Sequence, residues 1–280
     1  MKSRLRSIVV KPERLKTLHL IALFSIVSAC SSQPLYDGAP PASVSSNLPD
    51  DAIPRDEPRS RYGNGPYYKV NGKTYEVLDT NYGYQQRGVA SWYGTKFHGQ
   101  LTSSHDRYNM YAMTAAHKSL PLPSYVRVGN LRNGKSVIVR VNDRGPFVDN
   151  RLIDLSYAAA LKLDMITAGT SLVEVTAISF DDPTVQPAPS VIVEQAAAEQ
   201  DPAEYIFVQV GAFGEPENAR RRFSLLRDVG IERAFVYEDR NTSPALYRVR
   251  IGPIADVLQY DSIVERLQAI GISETHLVTD

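Results

Sequence analysis

Residues 101–117 read LTSSHDRYNMYAMTAAH and place two histidines and one aspartate in a short run of small polar and aromatic residues. Such a mixture suits metal ligation, proton transfer between an imidazole and a carboxyl, or plain packing. A metal site would draw on His98, His105, His117 and Asp106. No HExxH helix or close-spaced ligand pair frames them, so no metal is expected. The single cysteine, Cys30, rules out an intramolecular disulfide and a cysteine-based zinc site. A further carboxyl, Asp143, stands in VNDRGP at a strand end. It is either a reactive group or a turn residue before Gly145-Pro146.

The elements that must hold these residues follow from periodicity. In SVIVRVND, Val137, Val139 and Val141 share one face, and Ile138 and Arg140 the other. GVASWYG, YVRVGNL and SLVEVTAIS have similar strand character, separated by turn signals such as Arg132-Asn133-Gly134-Lys135. One helix is predicted over Asp154–Leu163, where Leu155, Ala158, Ala159 and Leu163 fall near helical spacing. Many short strands with one helix predict a small closed barrel over residues 67–180.

Residues 204–280 have a different rhythm. YIFVQVG, RAFVYED, LYRVRIG and HLVT read as strands, interleaved with two amphipathic helices, which gives a βαββαβ, ferredoxin-like α+β domain. Val208, Val210, Tyr247, Val249 and Ile251 point to the helices. Phe207, Gln209, Leu246, Arg248 and Arg250 lie on the opposite face, which is expected to be open for docking. Two stretches are too polar and proline-rich to bury a core and are expected to be disordered: a stalk over 30–66 and an acidic linker over 181–203.

Balanced charge, with 31 basic and 31 acidic side chains, gives no footprint for nucleic acid. The N-terminus carries Lys2, Arg4, Arg6, Lys11, Arg14 and Lys16, then the apolar run Leu20–Ala29, which is too short to span a bilayer. Val27-Ser28-Ala29-Cys30 resembles a bacterial lipobox, so residues 1–29 are expected to be a signal peptide and Cys30 the acylated mature N-terminus. Ser31 then implies sorting to the outer membrane, with the protein facing the periplasm.

The longer motifs resemble a known family. GVASWYGTKFHGQLT, TAAHKSLPLPSYVRVGNLRNGKSVIVRVNDRGPF and RLIDLSYAAALKL are similar to the double-psi β-barrel of the rare lipoprotein A family. YIFVQVGAF with LYRVRIGPI resembles the SPOR domain, a peptidoglycan-binding module of division proteins. The resemblance implies a lytic transglycosylase that cuts MurNAc–GlcNAc bonds of peptide-stripped (denuded) glycan, leaves 1,6-anhydro ends and needs no cofactor. It further implies targeting to the division septum, where protein partners would be met. Its catalytic set falls on Asp143, Asp106 and His117, with Trp92 and Tyr93 beside the sugar and Gln209, Arg248 and Arg250 as glycan contacts of the SPOR domain. The chain departs from the family's Gly-Glu-x-Tyr-Asp at His105-Asp106-Arg107-Tyr108-Asn109. Asp106 is one methylene short, and Asn109 cannot titrate. These departures make a non-catalytic lipoprotein that binds septal glycan the alternative.

The anchor is directly testable. Cys30→Ser is expected to abolish acyl labelling and to release the protein from the outer-membrane fraction; unchanged fractionation with label retained would contradict it.

Overall fold

The computed structural model describes residues 37–40, 48–180 and 205–279. Cys30, the signal peptide, part of the stalk and the acidic linker lie outside these residues. Among the described residues no helix is long and apolar enough to cross a membrane.

A two-stranded hairpin, β1 (Tyr67–Val70) and β2 (Lys73–Glu76), precedes the barrel. The barrel strands are β3 (Gln85–Tyr93), β4 (Thr114–His117), β5 (Ser124–Asn130), β6 (Ser136–Asp143), β7 (Ile153–Ser156) and β8 (Ser171–Ile178). They close in the order β3-β7-β4-β6-β5-β8. β3 with β7 and β4 with β6 are parallel; the other neighbours are antiparallel. The valine alternation behaves as expected. Val137, Val139 and Val141 fill the interior with Val126, Val128, Leu155 and Val173, while Ile138 and Arg140 stay partly exposed.

One boundary differs from expectation in a way that matters for chemistry. The helix α1 covers only Tyr157–Lys162. Ser156 caps it, its Oγ accepting from Ala159 N at 3.2 Å. The preceding Ile153–Ser156 is strand instead, because β3 and β4 both hydrogen-bond to it and bury Ile153 and Leu155 inside the barrel. Asp154, between those two apolar residues, therefore points the other way.

The stalk expectation also needs correction. Residues 50–66 form a strap held against the barrel. Ala52 N donates to Ile138 O (3.0 Å) and Ile138 N to Asp51 Oδ2 (2.9 Å). Asn64 exchanges two hydrogen bonds with the Leu122 backbone. Glu57 receives Arg140 through Nε (3.1 Å) and Nη2 (2.9 Å), along with Tyr125 OH. Prolines and acids do not build a core, but they do not prevent a segment from satisfying its polar groups on an existing one.

The C-terminal domain is the expected βαββαβ unit. β9 (Ile206–Phe213), β10 (Ala234–Asp239), β11 (Leu246–Ile251) and β12 (His276–Thr279) form an antiparallel sheet in the order β10-β11-β9-β12. Helices α2 (Pro216–Asp228) and α3 (Val257–Ala269) pack through Ala219, Leu226, Ile263, Val264 and Leu267 onto Val208, Val210, Val249 and Ile251.

Burial tends to raise the pKa of Glu57, but hydrogen bonds from Arg140, Tyr125 and Arg55 overcome it and hold the carboxyl down at about 2. Charge-assisted bonds of this kind contribute about 1.5–3 kcal/mol each. Glu57→Gln is expected to lower barrel stability by about 2 kcal/mol, read as a reduced urea midpoint at pH 7. No change would mean that the strap adds nothing to the barrel.

Candidate active site

The site grows from the register of three strands. β4 runs between β6 and β7, and Ala116 on β4 is in register with Asp143 on one side and Asp154 on the other. With neighbouring strands ~4.8 Å apart, the two aspartate Cα atoms straddle Ala116 at roughly 10 Å. The floor between them is deliberately small. A Cβ added to Gly145 (φ 140°) would sit 3.7 Å from Ala116 Cβ, 3.9 Å from Asp154 Oδ2 and 4.0 Å from Phe147 Cε2. Beneath lies an apolar cluster of Tyr93, Tyr108, Met110 and Ala116.

The two carboxyls are held differently. Asp143 Oδ1 accepts Ser103 N (2.8 Å), Ser103 Oγ (2.7 Å) and Arg144 N (2.8 Å). The turn-residue and reactive-group readings are thus compatible, since those bonds all end on one oxygen. Asp154 accepts a short hydrogen bond from Ser91 Oγ. Although partly open to solvent, it is densely surrounded, and burial raises its pKa against the Ser91 bond and the charges of Lys118 and Arg151. A carboxyl that keeps its proton to higher pH is what a general acid requires. Sequence reasoning missed Asp154 because it fell at the start of the predicted helix. The signal was present: Ile-Asp-Leu-Ser alternates, and Ser156 is a helix N-cap.

Asp106 is placed near this pair but occupied. Its Oδ2 accepts Arg140 Nη1 (2.6 Å), Ser104 Oγ (2.9 Å) and Asn142 Nδ2 (3.1 Å). Burial would raise its pKa, yet hydrogen bonds from Arg140, Asn142 and Ser104 outweigh burial and lower it. It therefore fits an anionic anchor of the 102–106 loop better than a proton donor. Arg140 bridges Asp106 to Glu57, so the loop and the strap share one guanidinium. Asn109 accepts from Tyr111 N in a local turn.

The three histidines of the metal reading have separate tasks. His98 Nδ1 accepts from Met110 N (3.2 Å). His105, at φ 68°, stacks on Tyr62 with centroids 3.6 Å apart. His117 is buried, and its Nδ1 accepts from Ser119 N (3.2 Å) and Leu120 N (3.1 Å). That leaves Nε2 to carry the hydrogen, 2.9 Å from Tyr84 OH. Burial, then the charges of Lys118 and Arg144, lower its pKa to about 3. His117 is thus a neutral ring that shapes the end of β4. Among the described residues no group of three His, Cys, Asp or Glu is arranged to hold a metal.

Of the expected sugar contacts, Tyr93 is buried and stacked on Tyr108 (4.1 Å). Trp92 packs on the barrel core with its edge to Tyr157, on the strand face opposite the Ser91 side chain that reaches Asp154. In the C-terminal domain, Arg250 lies over the Tyr237 ring (4.5 Å) and in register with Gln209, and both are less than 10% exposed. Arg248 pairs with Asp239 at 2.8 Å. The face expected to be open is therefore partly covered by its own long side chains.

Comparisons with known proteins give the same two modules. A family described as lytic transglycolase matches residues 85–175, and the SPOR domain family matches residues 202–276. The barrel with its carboxyl pair is a lytic transglycosylase domain, followed by a SPOR domain. An endolytic peptidoglycan transglycosylase RlpA from Vibrio cholerae is 38% identical over 266 residues, covering 94% of this chain and 96% of the relative. One from Pseudomonas aeruginosa is 36% identical over 293 residues, covering 88% and 85%. The Neisseria meningitidis RlpA is 59% identical over 111 residues, 40% of this chain and 46% of that protein. The chain belongs to the RlpA family.

The buried neutral His117 gives stability a definite pH dependence. An unfolded histidine takes up its proton near pH 6.5, whereas the folded one does so only near 3. Its contribution is complete above pH 6.5 and is lost as pH falls toward 3. Barrel stability is expected to drop by about 2 kcal/mol between pH 6.5 and 5, followed by urea denaturation. In His117→Gln that slope should flatten; an equal slope in both proteins would refute the assignment.

Proposed function

We propose that this chain is a peptidoglycan lytic transglycosylase acting on MurNAc–GlcNAc bonds of denuded glycan strands, with Asp154 and Asp143 as its working carboxyls. The observation that carries this reading is their placement on either side of Ala116, one with a raised pKa, above a floor too small to obstruct a sugar. Asp154 protonates the glycosidic oxygen as the C1–O bond breaks. Asp143, fixed through Oδ1, stabilises the oxocarbenium-like centre. The Asp154 carboxylate then takes the proton from the muramic 6-hydroxyl, whose oxygen closes on C1. The proton is returned, no water is consumed, and a 1,6-anhydro end results. The wide separation expected of inverting hydrolases does not constrain this chemistry, because the nucleophile belongs to the substrate.

The departures at Asp106 and Asn109 weigh less on this reading, since neither residue supplies the acid. The remaining elements of the proposal are a lipid anchor at Cys30 in the outer membrane and guidance to septal glycan by the SPOR domain. The names of the relatives and the matched SPOR family support the substrate class.

Asp154→Asn is expected to reduce anhydro-ended product from purified denuded glycan by about 10²–10⁴-fold, detected by mass spectrometry, with little change in stability. The wild-type rate should fall as pH rises through the raised Asp154 pKa, because the acid must hold its proton. Asp154→Asn at full activity would remove Asp154 from the mechanism. Wild type without any anhydro product would leave the glycan-binding lipoprotein as the reading.

A further inference from the structure

Two aromatic groups, one exposed and one half-buried, stand at the edges of the carboxyl pair, and both depend on residues N-terminal to the stretch matched by the lytic transglycolase family. The first is Tyr62 of the strap, stacked on His105 with an interplanar angle of 4° and 46% exposed. It adjoins Asp143 through short connections. Ser60 Oγ donates to Ser104 O, and Gly63 packs against Ser103, the residue that binds Asp143 Oδ1. The second is Phe147 with Tyr75 of the hairpin, centroids 5.5 Å apart. Phe147 and Asp154 Oδ2 both come within 4.0 Å of the same point above Gly145. Val148, next in the chain, is 66% exposed.

Packing alone does not account for this arrangement. His105 occupies a left-handed backbone conformation that disfavours its side chain, yet its ring is placed flat against a solvent-exposed tyrosine. Flat aromatics that face solvent, wholly or in part, beside a carboxyl pair are suited to the apolar C–H faces of pyranose rings, which neighbouring hydrogen-bonding groups can hold in register. β-Linked hexosamines present such faces, together with an N-acetyl methyl group.

We propose that the strap and hairpin build two sugar subsites: Tyr62 with His105 on the Asp143 side, and Tyr75 with Phe147 on the Asp154 side. Each stacks an N-acetylated hexosamine flanking the bond to be cut. This rests on the glycan-cleaving reading above and extends it, because the barrel then requires residues 50–76 to grip a strand on both sides.

Steady-state kinetics of the full chain on denuded glycan test the proposal. Tyr62→Ala and Tyr75→Ala are each expected to raise KM about tenfold, with the loss falling on KM rather than kcat, while Tyr62→Phe retains near wild-type KM. Thermal midpoints should shift little in Tyr62→Ala, whose side chain is half exposed. Unchanged KM in both alanine variants would overturn the subsites. A second readout does not need turnover. In the full chain carrying Asp154→Asn, added denuded glycan should shift the His105 ring signals in NMR, and Tyr62→Ala should remove that shift. If wild type makes no anhydro ends but the shift appears, the cleavage reading fails and the subsites stand. If His105 is unmoved at saturating glycan, the subsites fail.

Discussion

Arg144 is the knot on which the site depends. It is 8% exposed, and its guanidinium donors are spent on two other segments, all but one on backbone oxygens and Nη2 on Asn64 Oδ1. Nε reaches Gly63 O in the strap (2.9 Å), while Nη1 reaches His117 O (3.1 Å) and Leu120 O (2.6 Å) just beyond β4. Its own N–H meets Asp143 Oδ1. One buried arginine, through its guanidinium and its backbone N–H together, therefore fixes the strap, the end of β4 and the Asp143 carboxyl relative to one another. Burial lowers its pKa to about 10, which still leaves it charged at neutral pH. A lysine has neither the fork nor the number of donors for this task.

Around that knot, polar residues divide between reacting and holding. Asp154 holds its proton to higher pH than an ordinary carboxyl because its surroundings are crowded and offer it one serine bond. Asp106 and Glu57 lose theirs because Arg140 lies between them. His117 stays neutral because two backbone N–H groups claim its Nδ1. Four titratable groups thus have three fates, decided largely by the donors that neighbouring segments bring to them. Asp106, bonded by Arg140, Ser104 and Asn142, ties the 102–106 loop to β6.

Much of the fold was legible from residues. Valine alternation located β5, β6 and β8, and the strand–helix rhythm after residue 204 gave the second domain with its inward face correctly assigned. The site was legible only in part. Asp143 stood out in its motif, but Asp154 was hidden because Leu155, Ala158, Ala159 and Leu163 mimic helical spacing across a strand-to-helix junction. His117 looked titratable because a sequence shows neither its burial nor the N–H groups that face it. The strap was hidden for another reason: composition reports whether a segment can bury its own core, and is silent on whether it can dock onto another. On the open sheet face, alternation named the right residues but not that Arg250 folds over Tyr237.

The strap has a mechanical consequence. Once the contacts of Asp37 and Gly38 with the 94–96 backbone yield, tension from the N-terminal side enters the domain at Asp51 and Glu57. Lys162 and Arg140 meet those carboxylates, and the load is shared between a helix and a barrel strand instead of peeling one strand from its edge. Arg140 also holds Asp106, so a pull strong enough to separate it from Glu57 would act on the loop that positions Asp143. In this architecture the point that bears force and the loop that holds Asp143, a proposed working carboxyl, are one guanidinium apart.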